Sequence, residues 1–251
     1  MTRRHVSPCS FNHRTCTSCR DSANGERPQS LCTNDHIQTI RYSFGDERSV
    51  LTIGCLVNSS LVIVPGWRDS GPGHWQSLWA ERLPGAVRVV QDDWVSPTRA
   101  AWVDTLTSLI LAQPGPVVVV AHSLGCIATM HLPGAAVARI SAALLVAPAD
   151  PERRAVLSDF APVPYAPLPY RSIVVASTND PFCPARLAGA YARAWGSEFV
   201  RMQNAGHVNV DSGHGEWPLG LALLQSLIDA PPLAAGLSAP HTTTFVPLAI
   251  S

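Results

Sequence analysis

The sequence predicts an α/β fold, a three-layer sandwich built on a mostly parallel sheet, minimal in size and without a cap domain. Three observations carry this. Apolar runs such as 61–64 and 117–120 are continuous rather than alternating, the pattern of strands buried on both faces. Between them lie helix-length stretches with apolar residues at 3.6-residue spacing. Strands alternating with helices fit a parallel sheet covered on both sides, and 251 residues allow one domain of ordinary size.

The formal net charge is zero, so nothing electrostatic favours nucleic acid or an anionic membrane surface as a partner. No apolar run approaches the ~18–20 residues of a membrane span. Arg3 and Arg4 are not followed by an apolar stretch, so no signal peptide is expected. Seven cysteines is an odd number, and Cys55, Cys126 and Cys183 fall in or beside predicted buried segments. Reduced thiols in the cytoplasm fit this better than a disulfide framework.

Residues 1–58 read as a disordered or loosely packed extension. Residues 1–35 are polar and aperiodic. Cys16 and Cys19 form a C-x-x-C, but no second well-spaced ligand pair accompanies them, so no metal is expected. The apolar pieces at 37–44 and 50–57 suit a hairpin or an edge strand; a start codon placed too early is the other reading. The regular domain spans 59–229. Strand 61–64 breaks at Pro65-Gly66, and helix 74–83 carries Trp75, Leu78, Trp79 and Leu83 on one face. A short strand at 87–90 precedes helix 99–112, capped by Thr98. After strand 117–120 come strands at 142–147, 172–176 and 198–202 and helices at 185–195 and 217–228. The proline-rich stretch 148–171 is expected to be an ordered, extended loop over one edge of the site. The Pro-, Ala- and Thr-rich segment 230–251 reads as a flexible tail.

The chemistry centres on Ala121-His122-Ser123-Leu124-Gly125. Four valines run into a small residue, then Ser-x-Gly, then a helix. This is a G-x-S-x-G nucleophile elbow with alanine at the first glycine position. Serine needs a base, and the base needs an orienting group. In elbow folds the acid and then the histidine follow the serine in chain order. Asp180 and His207 each lie just past a predicted strand, where parallel strands bring their C-terminal ends together. Asp150, after the preceding strand, competes with Asp180, and His214 competes with His207. His122 adjoins the serine, but neighbours across an elbow point apart. Asp211 reads as a loop acceptor. Two backbone N–H groups are needed for the oxyanion: Leu124 is one, and Trp67, in the loop after strand 61–64, is the other, with Gly66 allowing close approach. Gly66 is also a candidate for the substrate pocket, and His74 suits either a helix cap or that pocket. Trp67 and Trp217 suit either an apolar acyl pocket or plain packing.

Together Pro65-Gly66-Trp67, Gly73-His74-Trp75, the elbow, Asn179-Asp180-Pro181 and Gly206-His207-Val208-Asn209 resemble the small serine hydrolases related to retinoblastoma-binding protein nine. The stretch Ser212-Gly213-His214-Gly215-Glu216-Trp217-Pro218 adds the most specific element. The resemblance covers roughly 60–229 and implies a lidless α/β-hydrolase with a Ser123–Asp180–His207 triad. The L-x-C-x-E partner motif of the vertebrate namesake has no match here, so no retinoblastoma-type partner is carried over. The expected reaction is hydrolysis of a small carboxylic ester through an acyl-enzyme, without a cofactor. An acyltransferase or perhydrolase would use the same acyl-enzyme with another acceptor. A non-catalytic binding protein on this fold would have no need of all three groups.

Overall fold

The computed structural model describes residues 30–32, 38–43, 50–54, 59–230 and 243–246. Strands β1 (Ser30–Cys32), β2 (Gln38–Ser43) and β3 (Val50–Gly54) form a small antiparallel sheet in that order, with Ile40 opposite Ile53. Of the readings open for 37–57, the hairpin is the one found. The Cys16–Cys19 pair lies outside the described residues.

The main sheet has seven strands, all paired in parallel. They are β4 (Ser60–Val64), β5 (Ala86–Arg88), β6 (Val117–His122), β7 (Ile140–Val146), β8 (Arg171–Ser177), β9 (Glu198–Met202) and β10 (Thr243–Val246), in the order β10-β9-β8-β7-β6-β4-β5. The helices are α1 (Trp75–Arg82), α2 (Arg99–Leu111), α3 (Leu124–Met130), α4 (Gly134–Val137), α5 (Ala185–Trp195) and α6 (Pro218–Asp229). The strand order reverses between β4 and β6, because β5 lies on one side of β4 and every later strand on the other. A crevice opens at such a switch point beyond the carboxyl ends of the strands.

Alternation along each strand sends residues to two separate cores. Val62 and Val64 join Val117, Val119 and Ala121 against α2, α3 and α5, where Trp102, Leu106, Ile127 and Trp195 are buried. Leu61 and Ile63 join Val118 and Val120 against α1 and α6, where Trp75, Trp79, Leu221 and Leu224 are buried. Both faces of β4 and β6 are buried, which is why these strands read as apolar runs.

Two segments differ from the sequence reading. The stretch after β7 is not simply extended: it folds into two 3₁₀ turns, Pro151–Arg153 and Ala155–Phe160, seated by buried Leu157 and Phe160. The reading of 230–251 as a tail gives way at Thr243–Val246, which pairs with Phe199–Met202 of β9. An edge strand has open backbone donors and acceptors, and four residues with β-branched and aromatic side chains can fill them despite polar neighbours.

Residues 59–229 are proposed to carry the fold and the site. A chain begun at Ser59 is expected to hold its melting temperature within ~5 °C of the full chain. A chain ended at Ala230 is expected to melt lower by about 2–4 °C, on the order of 1 kcal/mol, because β9 becomes an open edge. Thermal denaturation followed by circular dichroism checks both.

Candidate active site

The site is set by crowding at the top of β6. Ser123 has φ 55° and ψ −121°, outside the regions that side-chain-bearing residues ordinarily occupy. The turn is held by Ser123 N–H donating to Val146 O at 2.9 Å and by Cys126 N–H donating back to Ser123 O at 3.1 Å. Gly125 has no alternative: a Cβ there would stand 2.4 Å from Val64 O and 2.6 Å from Pro65 O. At Gly66 a Cβ would stand 2.7 Å from that of Ser123. Ala121, fully buried, is small enough for the remaining approach of strand and helix.

Ser123, Asp180 and His207, on three different loops, are brought together. His207 Nε2 lies 2.9 Å from Ser123 Oγ, and His207 Nδ1 lies 2.9 and 3.0 Å from the two Asp180 oxygens. Asp180 Oδ1 also accepts from Phe182 N–H at 2.8 Å, which fixes the carboxylate plane. The competitors make other contacts. Asp150 accepts from Glu152 N–H as the cap of the first 3₁₀ turn, and His214 Nδ1 meets Ser212 Oγ at 3.2 Å. Among the described residues, neither the Trp67 nor the Leu124 backbone N–H has an acceptor.

Three groups that sequence reasoning passed over hold this geometry. His122 does not touch the serine, but its ring comes round to His207: Nε2 donates to His207 O at 2.9 Å, and the two ring centroids are 4.8 Å apart. Trp75 Nε1 donates to the next carbonyl, Val208 O, at 2.9 Å. Gln76 is fully buried; its Nε2 donates to Val64 O and Val120 O, tying together the ends of β4 and β6 where the strand order reverses, while its Oε1 accepts from Ser70 Oγ. A buried glutamine inside a helix has no local sequence signal, since its partners are strand carbonyls remote in the chain.

A cavity of about 330 Å³ opens over Ser123, walled by Trp67, Phe182 and Leu157 and floored by His74, His122 and His207. His74 caps α1 and also lines the cavity. Its Nδ1 accepts from Gln76 N–H at 3.1 Å as the cap of α1, and its ring faces the cavity. Trp217, proposed for the pocket, does not reach it. Its left-handed backbone (φ 45°) turns the indole into the core, 5.9 Å from and nearly parallel to Trp79. Gly66, also a candidate for the pocket, is not among the residues lining the cavity; it packs against Ser123.

Burial, reinforced by the nearby His207, lowers the His74 pKa to about 4 and holds His122 well below the usual histidine range. Both rings are therefore neutral near pH 7. Burial pushes the Cys183 thiol up to about 12 and raises Cys126 as well, so neither is a thiolate competitor to Ser123. Among the described residues no group of His, Cys, Asp and Glu is arranged to hold a metal ion, and no helix is long and apolar enough to cross a membrane.

The neutral histidines set a pH dependence of stability. The unfolded chain takes up a proton at His74 near pH 6.5 and the folded chain only near 4. Stability is full above ~6.5 and falls as pH drops through that window, by about 3 kcal/mol for His74. His74→Asn keeps a cap acceptor and is expected to flatten the slope of unfolding free energy between pH 6.5 and 4, measured by urea denaturation.

The chain matches the family described as serine hydrolase over residues 61–226. A protein from Pectobacterium atrosepticum, described as a YdeN-like hydrolase, is 34% identical, with 68% of this chain and 91% of that chain covered and a TM-score of 0.63. The ydeN gene product of B. subtilis is 21% identical over 69% and 100% of the two chains, at TM-score 0.58. Est1E of Butyrivibrio proteoclasticus, solved with ferulic acid bound, is 13% identical over 78% and 98%, at TM-score 0.52. The last two share the fold. No curated protein sequence matches significantly. With an α/β-hydrolase sheet, a serine at its elbow and a family match over most of the domain, the chain belongs to the serine hydrolase family.

Proposed function

We propose that the protein is a serine esterase that cleaves a small carboxylic ester through an acyl-enzyme. The observation that carries this is the unbroken relay Ser123 Oγ–His207 Nε2–Asp180, with 2.9 Å at each link. In this reading Asp180 accepts the Nδ1 proton and leaves Nε2 unprotonated toward the serine. Ser123 attacks the ester carbonyl as His207 takes its proton, and a C–O bond forms while the carbonyl π pair moves onto oxygen. The Trp67 and Leu124 N–H groups, which have no acceptor among the described residues, stabilise that oxyanion. Collapse expels the alkoxide, which leaves with the proton from His207. Water then repeats the sequence on the acyl-enzyme, with His207 as base and Ser123 as leaving group. No cofactor takes part.

The likeness to proteins related to retinoblastoma-binding protein nine belongs to this reading and rests on the Gly206–Pro218 segment. The two buried free thiols support a reducing, cytoplasmic setting.

Ser123→Ala is expected to abolish labelling by a fluorophosphonate probe and turnover of p-nitrophenyl esters while the protein stays folded. Labelling that survives would assign the chemistry to another nucleophile. Asp180→Asn is expected to lower kcat by ~10³–10⁴ with little change in KM, since an amide can donate to Nδ1 and stabilise the wrong tautomer. Asp150→Asn, assayed beside it on the same ester, is expected to retain most of its activity. The reverse order would move the acid to the loop after β7.

A further inference from the structure

Two arginines line the cavity, and among the described residues neither is paired with a carboxylate. Arg68 follows the Pro65–Trp67 loop and places its guanidinium carbon 4.3 Å from the centroid of the Trp67 ring. Arg154 rises from the segment between the two 3₁₀ turns. Its guanidinium lies over both aromatic walls, 4.6 Å from the Phe182 centroid and 5.6 Å from that of Trp67. The Phe182 ring is in turn 4.3 Å from His207. Arg154 therefore bridges the mouth of the cavity beside the reacting groups.

Rings supply a face but no hydrogen-bond acceptor in the guanidinium plane. Among the described residues, neither side chain donates a hydrogen bond or meets a carboxylate at ion-pair distance. The acids lining the same cavity are engaged elsewhere or stand apart. Asp69 is paired with Arg88, Asp150 caps its own turn, and Asp211 forms no ion pair with either arginine. Arg139, by contrast, donates to Gln113 O and Gly115 O, so an arginine away from the cavity does find acceptors. Stacking holds the Arg154 fork in place and leaves its N–H edge available, which is the arrangement that receives a planar carboxylate in two parallel hydrogen bonds.

We propose that Arg154 is the receptor for a carboxylate on the substrate, so that the site selects short dicarboxylic acid monoesters over neutral esters. This rests on the esterase reading above and narrows its substrate class. The ester carbonyl lies at Ser123, and the free carboxylate of the same molecule lies under the guanidinium at the mouth. A cavity of about 330 Å³ suits a ligand of that size.

The test measures binding separately from turnover. Ser123→Ala protein is titrated with p-nitrophenyl hemisuccinate and with p-nitrophenyl butyrate, which has a similar acyl length and no charge. The charged ester is expected to bind on the order of tenfold to a hundredfold more tightly, with a preference that shrinks as salt rises. Adding Arg154→Gln is expected to bring the ratio to about one, while Arg154→Lys, which keeps the charge and loses the fork, leaves an intermediate ratio. Equal binding of the two esters, or a preference that survives Arg154→Gln, overturns the proposal. Selective binding without turnover of either ester by the unmutated protein would leave the carboxylate receptor standing and remove the esterase reading instead.

Discussion

Everything at this site depends on how closely the loop after β4 can pass the turn after β6. The elbow places Ser123 in a strained conformation, at a cost of about 1–3 kcal/mol that the surrounding packing must offset. The offset is visible in what the crowding excludes. No side chain fits at Gly125 against the Val64 and Pro65 carbonyls, and none fits at Gly66 against Ser123 itself. The same closeness brings the Pro65–Trp67 loop against the elbow. It also leaves the carbonyls of Val64 and Val120 at the strand ends in need of donors, and Gln76 supplies both from α1. A buried amide with satisfied partners is costly to replace, because truncation strands two carbonyls in a dry core.

The loop bearing His207 is held from three sides by polar contacts. His122 donates to His207 O, Trp75 donates to Val208 O, and Asn179 Oδ1 accepts from Gly206 N–H at 2.8 Å. Ser177 joins the third contact, accepting from Ala205 N–H and donating to Asn179. Thus the strand end that presents Asp180 also clamps the residues just before His207. The His122 contact requires a proton on Nε2, and because burial holds the ring neutral, that contact selects the Nε2–H tautomer. Past the histidine, Asn209 and Ser212 cap each other across a single 3₁₀ turn, so the loop is braced on both sides of His207.

The tryptophans divide by depth. Trp75, Trp79 and Trp217 interlock beneath α1 and α6, and the close fit extends to Gly220, where a Cβ would stand 2.1 Å from the Trp217 ring. Trp217 Nε1 has no partner among the described residues, a cost the cluster's apolar burial must offset. Trp67 alone of these indoles serves the cavity, anchored by its Nε1 donating to Val95 O at 2.8 Å. Its face is left for the two arginines.

The fold class, the order of the central elements, the elbow at Ser123 and the placing of acids and histidines just past strand ends were legible in the chain because each depends on local pattern. Doubly buried strands read as valine runs, an elbow needs small residues at fixed offsets, and parallel strands gather their C-terminal ends in one crevice. Helix α5 and strand β9 fall where periodicity puts them, and Thr98 caps α2 as expected. What tertiary structure alone decided are contacts between residues far apart in sequence. Whether Asp150 or Asp180 meets His207 depends on how two loops cross, since both follow strands and both can cap turns. His122 reaches past its neighbour to a carbonyl 85 positions away. Trp217 turns inward because its backbone is left-handed, and Thr243–Val246 becomes a strand because β9 offers an open edge. Such outcomes depend on which groups meet in space, which no window of the sequence contains.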